Sequence, residues 1–427
     1  MEPTIEQQGS GYKVVWASKN VEMDVRNIKS KGFKAQVAVF LNNEPVHRSN
    51  PVLDSTSGMN SFTAKLNKRR PEADYGVDWD QMVEDLSGIV IDTYYAGEAA
   101  VKLSEVDLEN SFLWRIENVV LDNQITMLWA DGGTGKSMFA AFLSVLAQQG
   151  HMSSEHGLLV EPSNVLYLDY ETDQVEIAKR THMIQAGLGI EDVTATHTSS
   201  EITYNKCYHP LVQEENHIVD LIWKNKIDMV VIDSMGRALG GELESPDTVL
   251  PFFETIERLK TTVLLVSHSN KSGELFGSAY TKHSARLIWE AKRSSSTTTG
   301  MDFSLFCRKA NNVPMQPPQS WGVDFSNNKA VYTRKDVFET EDAGELSYYA
   351  LVFNILKDEG QKTREYLRDR IKELKPKDNR GRLIPENRTE RNVDAAVSKQ
   401  KADNKIRELD GGLLEFASKD GESWQSI

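Results

Sequence analysis

Cysteine is nearly absent from this chain: Cys207 and Cys307 are its two thiols in 427 residues. A disulfide framework is therefore excluded, which suits a reducing compartment. Cys207 and His209 lie close together, but no second pair at metal-ligand spacing accompanies them, so a zinc site is not expected. Long apolar runs are missing too; none approaches the ~20 residues of a membrane span. The opening residues, Met1-Glu2-Pro3-Thr4-Ile5-Glu6, are polar and lack a secretory signal pattern. A soluble, cytoplasmic chain with no membrane partner is the expectation. Positive charge is in deficit, with 49 Lys and Arg against 63 Asp and Glu and a formal net charge of -14. That balance argues against bulk coating of nucleic acid, although a local basic channel stays compatible with it. At 39% hydrophobic and 26% charged residues the chain is globular, and its length suits two or three domains.

Glycine is placed with purpose. Ala130-Asp131-Gly132-Gly133-Thr134-Gly135-Lys136-Ser137 follows the apolar run Ile125 to Trp129 and opens a helical pattern through Met138, Phe139, Phe142, Leu143 and Leu146. Strand, glycine-rich turn, Gly-Lys-Ser and helix is the P-loop arrangement, with Ala130 where the motif normally begins with Gly. Glycines let backbone N–H groups close around phosphate oxygens, and the positive end of the next helix adds to the attraction. Asp131 to Met138 are thus the expected ATP-binding residues. Lys136 would reach the β- and γ-phosphates, and Ser137 would ligate Mg²⁺.

Three further segments sharpen the reading. Val165-Leu166-Tyr167-Leu168-Asp169-Tyr170-Glu171 is a strand ending in carboxylates, where Glu171, with Asp169 as the competing choice, would polarise an attacking water. Met229-Val230-Val231-Ile232-Asp233-Ser234 is a buried strand ending in a carboxylate, and Asp233 would hold Mg²⁺ through its water shell. Val263 to Lys271 is another strand ending in polar residues, with His268 placed to sense the γ-phosphate.

Three regions emerge along the chain. Residues 1–110 read as an α+β module, with strands at Tyr12–Trp16, Val21–Ile28, Phe33–Leu41 and His47–Leu53, a turn at Asn42-Asn43-Glu44, and helices near Gly58–Lys68 and Trp79–Ala96, the second capped by Asp78. Residues 111–336 alternate strands and helices, which implies an α/β fold with a mostly parallel twisted sheet and helices on both faces. Its strand candidates include Ala285–Glu290 and Phe303–Cys307. Residues 344–427 read as helices at Leu346–Lys357, Lys362–Leu374 and Glu386–Leu409, then a strand Leu413–Ala417 and a hairpin ending near Trp424. That is the order of a winged helix-turn-helix with a modest positive balance, so DNA contact and protein docking both remain open.

The order P-loop, strand-Asp-Tyr-Glu, strand-Ile-Asp-Ser, strand-Ser-His resembles the RecA-like ATPases, and within them the RepA/DnaB-type ring helicases of plasmids, phages and bacteria. The resemblance covers about Leu113 to Arg334. It implies an ATP-hydrolysing core, commonly a homohexameric ring that moves single-stranded DNA. It assigns Lys136 and Ser137 to the P-loop pair, Asp233 to the Walker B carboxylate, Glu171 to the catalytic glutamate and His268 to the polar sensor. Segments Gly236 to Pro246 and Ser269 to Ser278 fall where the family's DNA-facing loops lie. Lys271 is basic there, whereas Glu242 and Glu244 are unfavourable near phosphates. Arg286 resembles the trans-acting arginine finger of the RepA branch, with Lys309 as a second cation. Under the same resemblance, an ATP-gated clamp, a recombination mediator or a regulatory ATPase is the alternative to a motor.

Overall fold

The computed structural model describes residues 3–8, 11–29, 32–97, 100, 102–105, 113–150, 156–190, 201–270, 275, 277, 279–337, 344, 346–376, 382–409 and 411–417. By its internal contacts the chain divides into two units. One holds residues 1–113 with 207–228 and 237–261; the other holds 114–206, 229–236 and 262–427.

The first unit begins with an antiparallel five-stranded meander: β1 (Thr4–Gln8), β2 (Gly11–Trp16), β3 (Val21–Lys29), β4 (Lys34–Leu41) and β5 (Glu44–Ser49). Alternation in Val21-Glu22-Met23-Asp24-Val25 does what its period requires: Val21, Met23 and Val25 are buried while Glu22 and Asp24 face outward. Asn42 and Asn43 both take positive φ, 54° and 64°, the two-residue turn whose twist matches a hairpin. Leu41 therefore pairs directly with Glu44, and β5 runs Glu44–Ser49 rather than the expected His47–Leu53. β1 escaped the sequence reading because Thr4-Ile5-Glu6-Gln7-Gln8 is a mostly polar edge strand. Helix α1 (Thr56–Arg69), the short α2 (Glu72–Tyr75) and α3 (Trp79–Ala96) follow. Asp78 caps α3 by accepting from Gln81 N–H at 3.0 Å, as expected, while the Gln81 side chain turns to Asp85 instead of closing a capping box. Trp79, Met82, Val83, Leu86 and Val90 of α3 join the sheet's apolar face in one core.

The chain then supplies the short β6 (Trp114–Ile116) and β7 (Val120–Leu121), followed by β8 (Ile125–Ala130), α4 (Lys136–Gln149), β9 (Val165–Asp169), α5 (Gln174–Gly187) and β10 (Thr203–Lys206). Next come α6 (Leu211–Asn225), β11 (Met229–Asp233), α7 (Met235–Leu239), α8 (Pro246–Arg258) and β12 (Thr262–His268). The core ends with α9 (Ala279–Ser284), β13 (Leu287–Ser296), β14 (Gly300–Ala310), β15 (Gln319–Asp324) and β16 (Val331–Lys335). Helices α6 and α8 group with the first unit, where Glu215 of α6 accepts from Arg258 of α8 at 2.8 Å.

Among the described residues the second unit forms a nine-stranded sheet in the order β10-β9-β11-β12-β8-β13-β14-β15-β16. The pairs from β10 to β13 are parallel and those from β13 to β16 antiparallel. Every residue of β8, β9 and β11 is buried, as in strands covered on both faces. This is an α/β arrangement, a mostly parallel sheet flanked by helices, as expected. Phe139, Phe142 and Leu146 of α4 enter its core beside Trp289, Phe303 and Trp321. The expected strands at Ala285–Glu290 and Phe303–Cys307 are halves of a longer hairpin. Polar residues from Lys292 to Asp302 hid its outer part from a reading based on apolar runs.

The C-terminal region runs α10 (Tyr348–Glu359), β17 (Lys362–Thr363), α11 (Arg364–Glu373), α12 (Glu386–Ala402), β18 (Ile406–Glu408) and β19 (Leu413–Phe416). The strands pair antiparallel in the order β17-β19-β18. The third helix stops at Ala402, short of the expected Leu409, because Asn404 takes φ 54° and Ile406 is drawn into the small sheet. Leu351, Ile355, Leu367, Ile371, Val393, Val397, Ile406 and Leu414 make its core. The expected hairpin end near Trp424 lies outside the described residues.

Candidate functional site

The carboxyl ends of β8, β9, β11 and β12 converge, and the turn after β8 spans them. Gly133 and Gly135 adopt φ of 74° and 90°, the left-handed region that favours glycine. A Cβ on Gly133 would meet open space, so its lack of a side chain leaves a cradle beside the backbone. Helix α4 starts at Lys136 with no side-chain cap, so its first N–H groups face the turn. Thr134 ties the turn to itself through its hydroxyl, which donates to the Asp131 carbonyl at 2.9 Å.

Lys136 is buried. Its ammonium donates to the Asp131 carbonyl and to His268 Nδ1, both at 3.1 Å. An ammonium has no lone pair, so Nδ1 accepts and the imidazole proton sits on Nε2. That Nε2–H donates to Glu171 Oε1 at 3.1 Å. Ser234 Oγ donates to the same oxygen. Burial pushes the Lys136 ammonium below its ordinary range, opposed by the charges of Asp233, Glu171 and Asp131.

Asp233 sits at the end of β11, almost wholly buried. Tyr167 donates to its Oδ2 at 2.7 Å and Ser137 to its Oδ1 at 3.2 Å. Burial raises its carboxyl above the usual range; the two hydroxyls pull it back, and the Glu171 charge adds to the rise. Asp169, which ends β9, has a different task. Burial works against its charge, but the N–H groups of Thr172 and Glu171, both at 2.8 Å, together with the Thr172 and Tyr204 hydroxyls, hold it below the usual range. Its oxygens are engaged in fixing the turn that carries Glu171.

A cleft of about 480 Å³ opens on these groups. P-loop residues Gly133, Gly135, Lys136, Ser137 and Met138 line it beside Glu171 and His268. Its far side comes from Arg180 and Met183 of α5 and from Phe325. Sequence reasoning passed over these three, since a Met and a Phe at such spacing look like core. Arg180 follows Glu171 by nine residues on the next helix, and one of its terminal nitrogens is buried without a hydrogen-bond partner among the described residues. The β13–β14 hairpin reaches over the P-loop as well. Arg293 donates to the Gly133 carbonyl at 3.3 Å, and a Cβ on Gly135 would lie 2.4 Å from the Met301 methyl.

The structure thus brings together Lys136, Ser137, Glu171, Asp233 and His268. Arg286 and Lys309 lie elsewhere. Arg286 is exposed, and its N–H donates to the carbonyl of Ile125 at 2.9 Å, at the amino end of β8. The P-loop leaves the carboxyl end of that strand, so about 16 Å of strand separates the two. Lys309 closes the end of α9 by donating to the carbonyls of Lys282, His283 and Ala285 at 2.6, 3.0 and 2.6 Å. Burial lowers its ammonium, and the neighbouring Arg286 charge lowers it further. Of the two candidate loops, the first is partly the helix α7, and Gly240 packs against Pro210. Lys271 of the second lies outside the described residues; Ser269 donates to the Asp131 carboxylate of the P-loop.

Residues 109–274 match the family model described as AAA domain. A KaiC-like protein from the hyperthermophilic archaeon Pyrococcus horikoshii OT3 is similar at 14% identity with a TM-score of 0.37, over 51% of this chain and 93% of that one. No curated protein matches in sequence. With the phosphate-binding turn and the sheet order, the AAA-domain match supports a RecA-like P-loop ATPase core in this chain.

Proposed function

We propose that the chain is an Mg-ATP-dependent ring ATPase that acts as a DNA helicase or translocase in the replication or recombination of a mobile element. The observation that carries its ATPase part is the convergence of Lys136, Ser137, Glu171 and His268 on one cleft, with buried Asp233 hydrogen-bonded to Ser137. Backbone N–H groups from Asp131 to Met138 hold the triphosphate, and Lys136 neutralises the β- and γ-oxygens. Ser137 and Asp233 present adjacent oxygens that suit a hard divalent ion. These two residues would hold Mg²⁺, which would supply positive charge for the phosphate oxygens. Glu171 orients the water and takes its proton, with its carboxylate held by His268 and Ser234. Met138, Met183, Phe325 and Arg180 supply walls suited to the flat nucleobase.

Arg286 acts in trans. It is exposed at the strand ends remote from its own P-loop, so its charge serves a neighbour's phosphate rather than its own. A homohexamer is the favoured ring. The second reading is an ATP-gated clamp, recombination mediator or regulator without unwinding. It is favoured by exposed Glu242 and Glu244 in the first central segment. ATP turnover measured with and without single-stranded DNA, beside a strand-displacement assay, separates the two. Stimulation with displacement supports the motor; ATP-dependent binding without displacement supports the clamp; turnover indifferent to DNA removes both DNA roles. Loss of turnover in Lys136→Ala is the control for the site.

A further inference from the structure

We infer that the outward face of α12 is a binding surface for duplex DNA. This rests on the DNA-directed reading above and deepens it by naming the surface and the form of the partner. α12 has 17 residues and so is about 25 Å long, enough to lie along a major groove. Thr389, Val393, Ala396, Val397 and Gln400 form its buried stripe. On the opposite side stand Arg388 and Arg391, with the small Ala395 and Ser398 further along, all exposed, while the exposed Lys399 carries its ammonium over the Tyr349 ring of α10 at 5.6 Å. That stripe contains no carboxylate.

Of the three acidic residues of the helix, exposed Glu386 opens its first turn and the other two are paired by α11. Asp394, on its flank, accepts from Arg368 of α11 at 2.6 and 3.1 Å, and Glu390 pairs with Lys372 of α11 at 2.8 Å. α11 therefore neutralises Glu390 and Asp394 and leaves Arg388 and Arg391 to face outward. Among the described residues neither Arg388 nor Arg391 has a carboxylate partner. Arg391 Nε donates to the Asn387 carbonyl at 3.4 Å, which lays its stem along the helix. Other basic residues of this region are spent internally: Arg364 and Lys401 on Glu408, Arg370 on Glu359 and Glu373, Arg407 on Glu415. Small residues further along the stripe allow close approach of the helix backbone to a groove floor, and the two arginines fall in the N-terminal half, where recognition helices meet base edges. Single strands are gripped by aromatic platforms, and this stripe has no aromatic side chain. Duplex is therefore the form it fits.

The test is anisotropy of the full chain with a short fluorescent DNA duplex across a salt series, comparing wild type with Arg388→Ala/Arg391→Ala. The expected result is at least about tenfold weaker duplex binding, with the salt slope reduced by about one for each arginine. Basal ATP turnover should be unchanged, which also shows that the variant is folded. Arg388→Lys/Arg391→Lys should recover most of the affinity. Unchanged duplex affinity and slope in the alanine variant, or absence of duplex binding by the wild type, overturns the inference. An equal loss on a single strand overturns the duplex assignment. Absent ATP turnover with variant-sensitive duplex binding counts against the ATPase reading alone and leaves this surface standing.

Discussion

Asp169 ends β9 and Glu171 follows it in the next turn, and their surroundings assign them different work. Asp169 is saturated by donors from Glu171, Thr172 and Tyr204, whereas Glu171 opens on the cleft beside His268. Glu171→Gln should therefore keep nucleotide affinity and lose about 10²–10⁴ in turnover, measured by ligand binding and by single-turnover hydrolysis. Asp233 is the costly group. Its raised folded-state value means that the native chain binds a proton more tightly than the unfolded chain does. Stability thus falls as pH rises from 3.8 through the folded value, and the cost of the buried charge persists at neutral pH. Asp233→Asn should raise the melting temperature at pH 7 without Mg²⁺, measured by calorimetry, because it removes the buried charge. The gain should shrink as pH is lowered toward 3.8, and Mg-ATP should stabilise the variant less than the wild type. The glycines, the lysine and the strand-end acids were legible from sequence because their chemistry demands a spacing. Which acid faces the cleft was not, since it depends on hydrogen bonds from Tyr204, 35 residues away.

At the scale of elements, α5 carries the wall of the cleft and is held by its first turn. Asp173 accepts from the N–H groups of Val175 and Glu176 at 2.8 and 3.0 Å. Asp173→Ala should cost about 1 kcal/mol by denaturant unfolding and loosen nucleotide binding through Arg180 and Met183, while leaving the Lys136 turn intact. The outer part of the β13–β14 hairpin makes a parallel case. Arg293→Ala removes the donor to the Gly133 carbonyl, and a higher KM for ATP with a smaller change in kcat is the expected result. These elements also show the limit of periodicity. β8, β9 and β11 announced themselves as apolar runs, and α3 as a capped 18-residue helix. The hairpin tip, β1 and β10 did not, because edge and overhanging strands need no apolar run to form.

For the whole molecule, the telling fact is polarity. Lys136 and Glu171 lie at the carboxyl ends of the parallel strands, and Arg286 at their amino ends. Arg286→Ala mixed with wild type in rising proportion should depress turnover out of proportion to its fraction, with nucleotide binding unaffected; strictly linear loss would place the residue's action within one chain. The alternation of strands and helices was enough to announce the sheet, but the grouping of α6 and α8 with residues 1–113 was not, since no local pattern records which neighbour a helix packs on. A sheet with unlike ends has a head and a tail. Copies that join reactive cleft to basic rim cannot do so around a two-fold axis; each addition presents the same open end again, and growth stops only when the last rim meets the first cleft. The angle turned at each joint, rather than the chemistry within it, then decides whether the product is a closed circle or a thread.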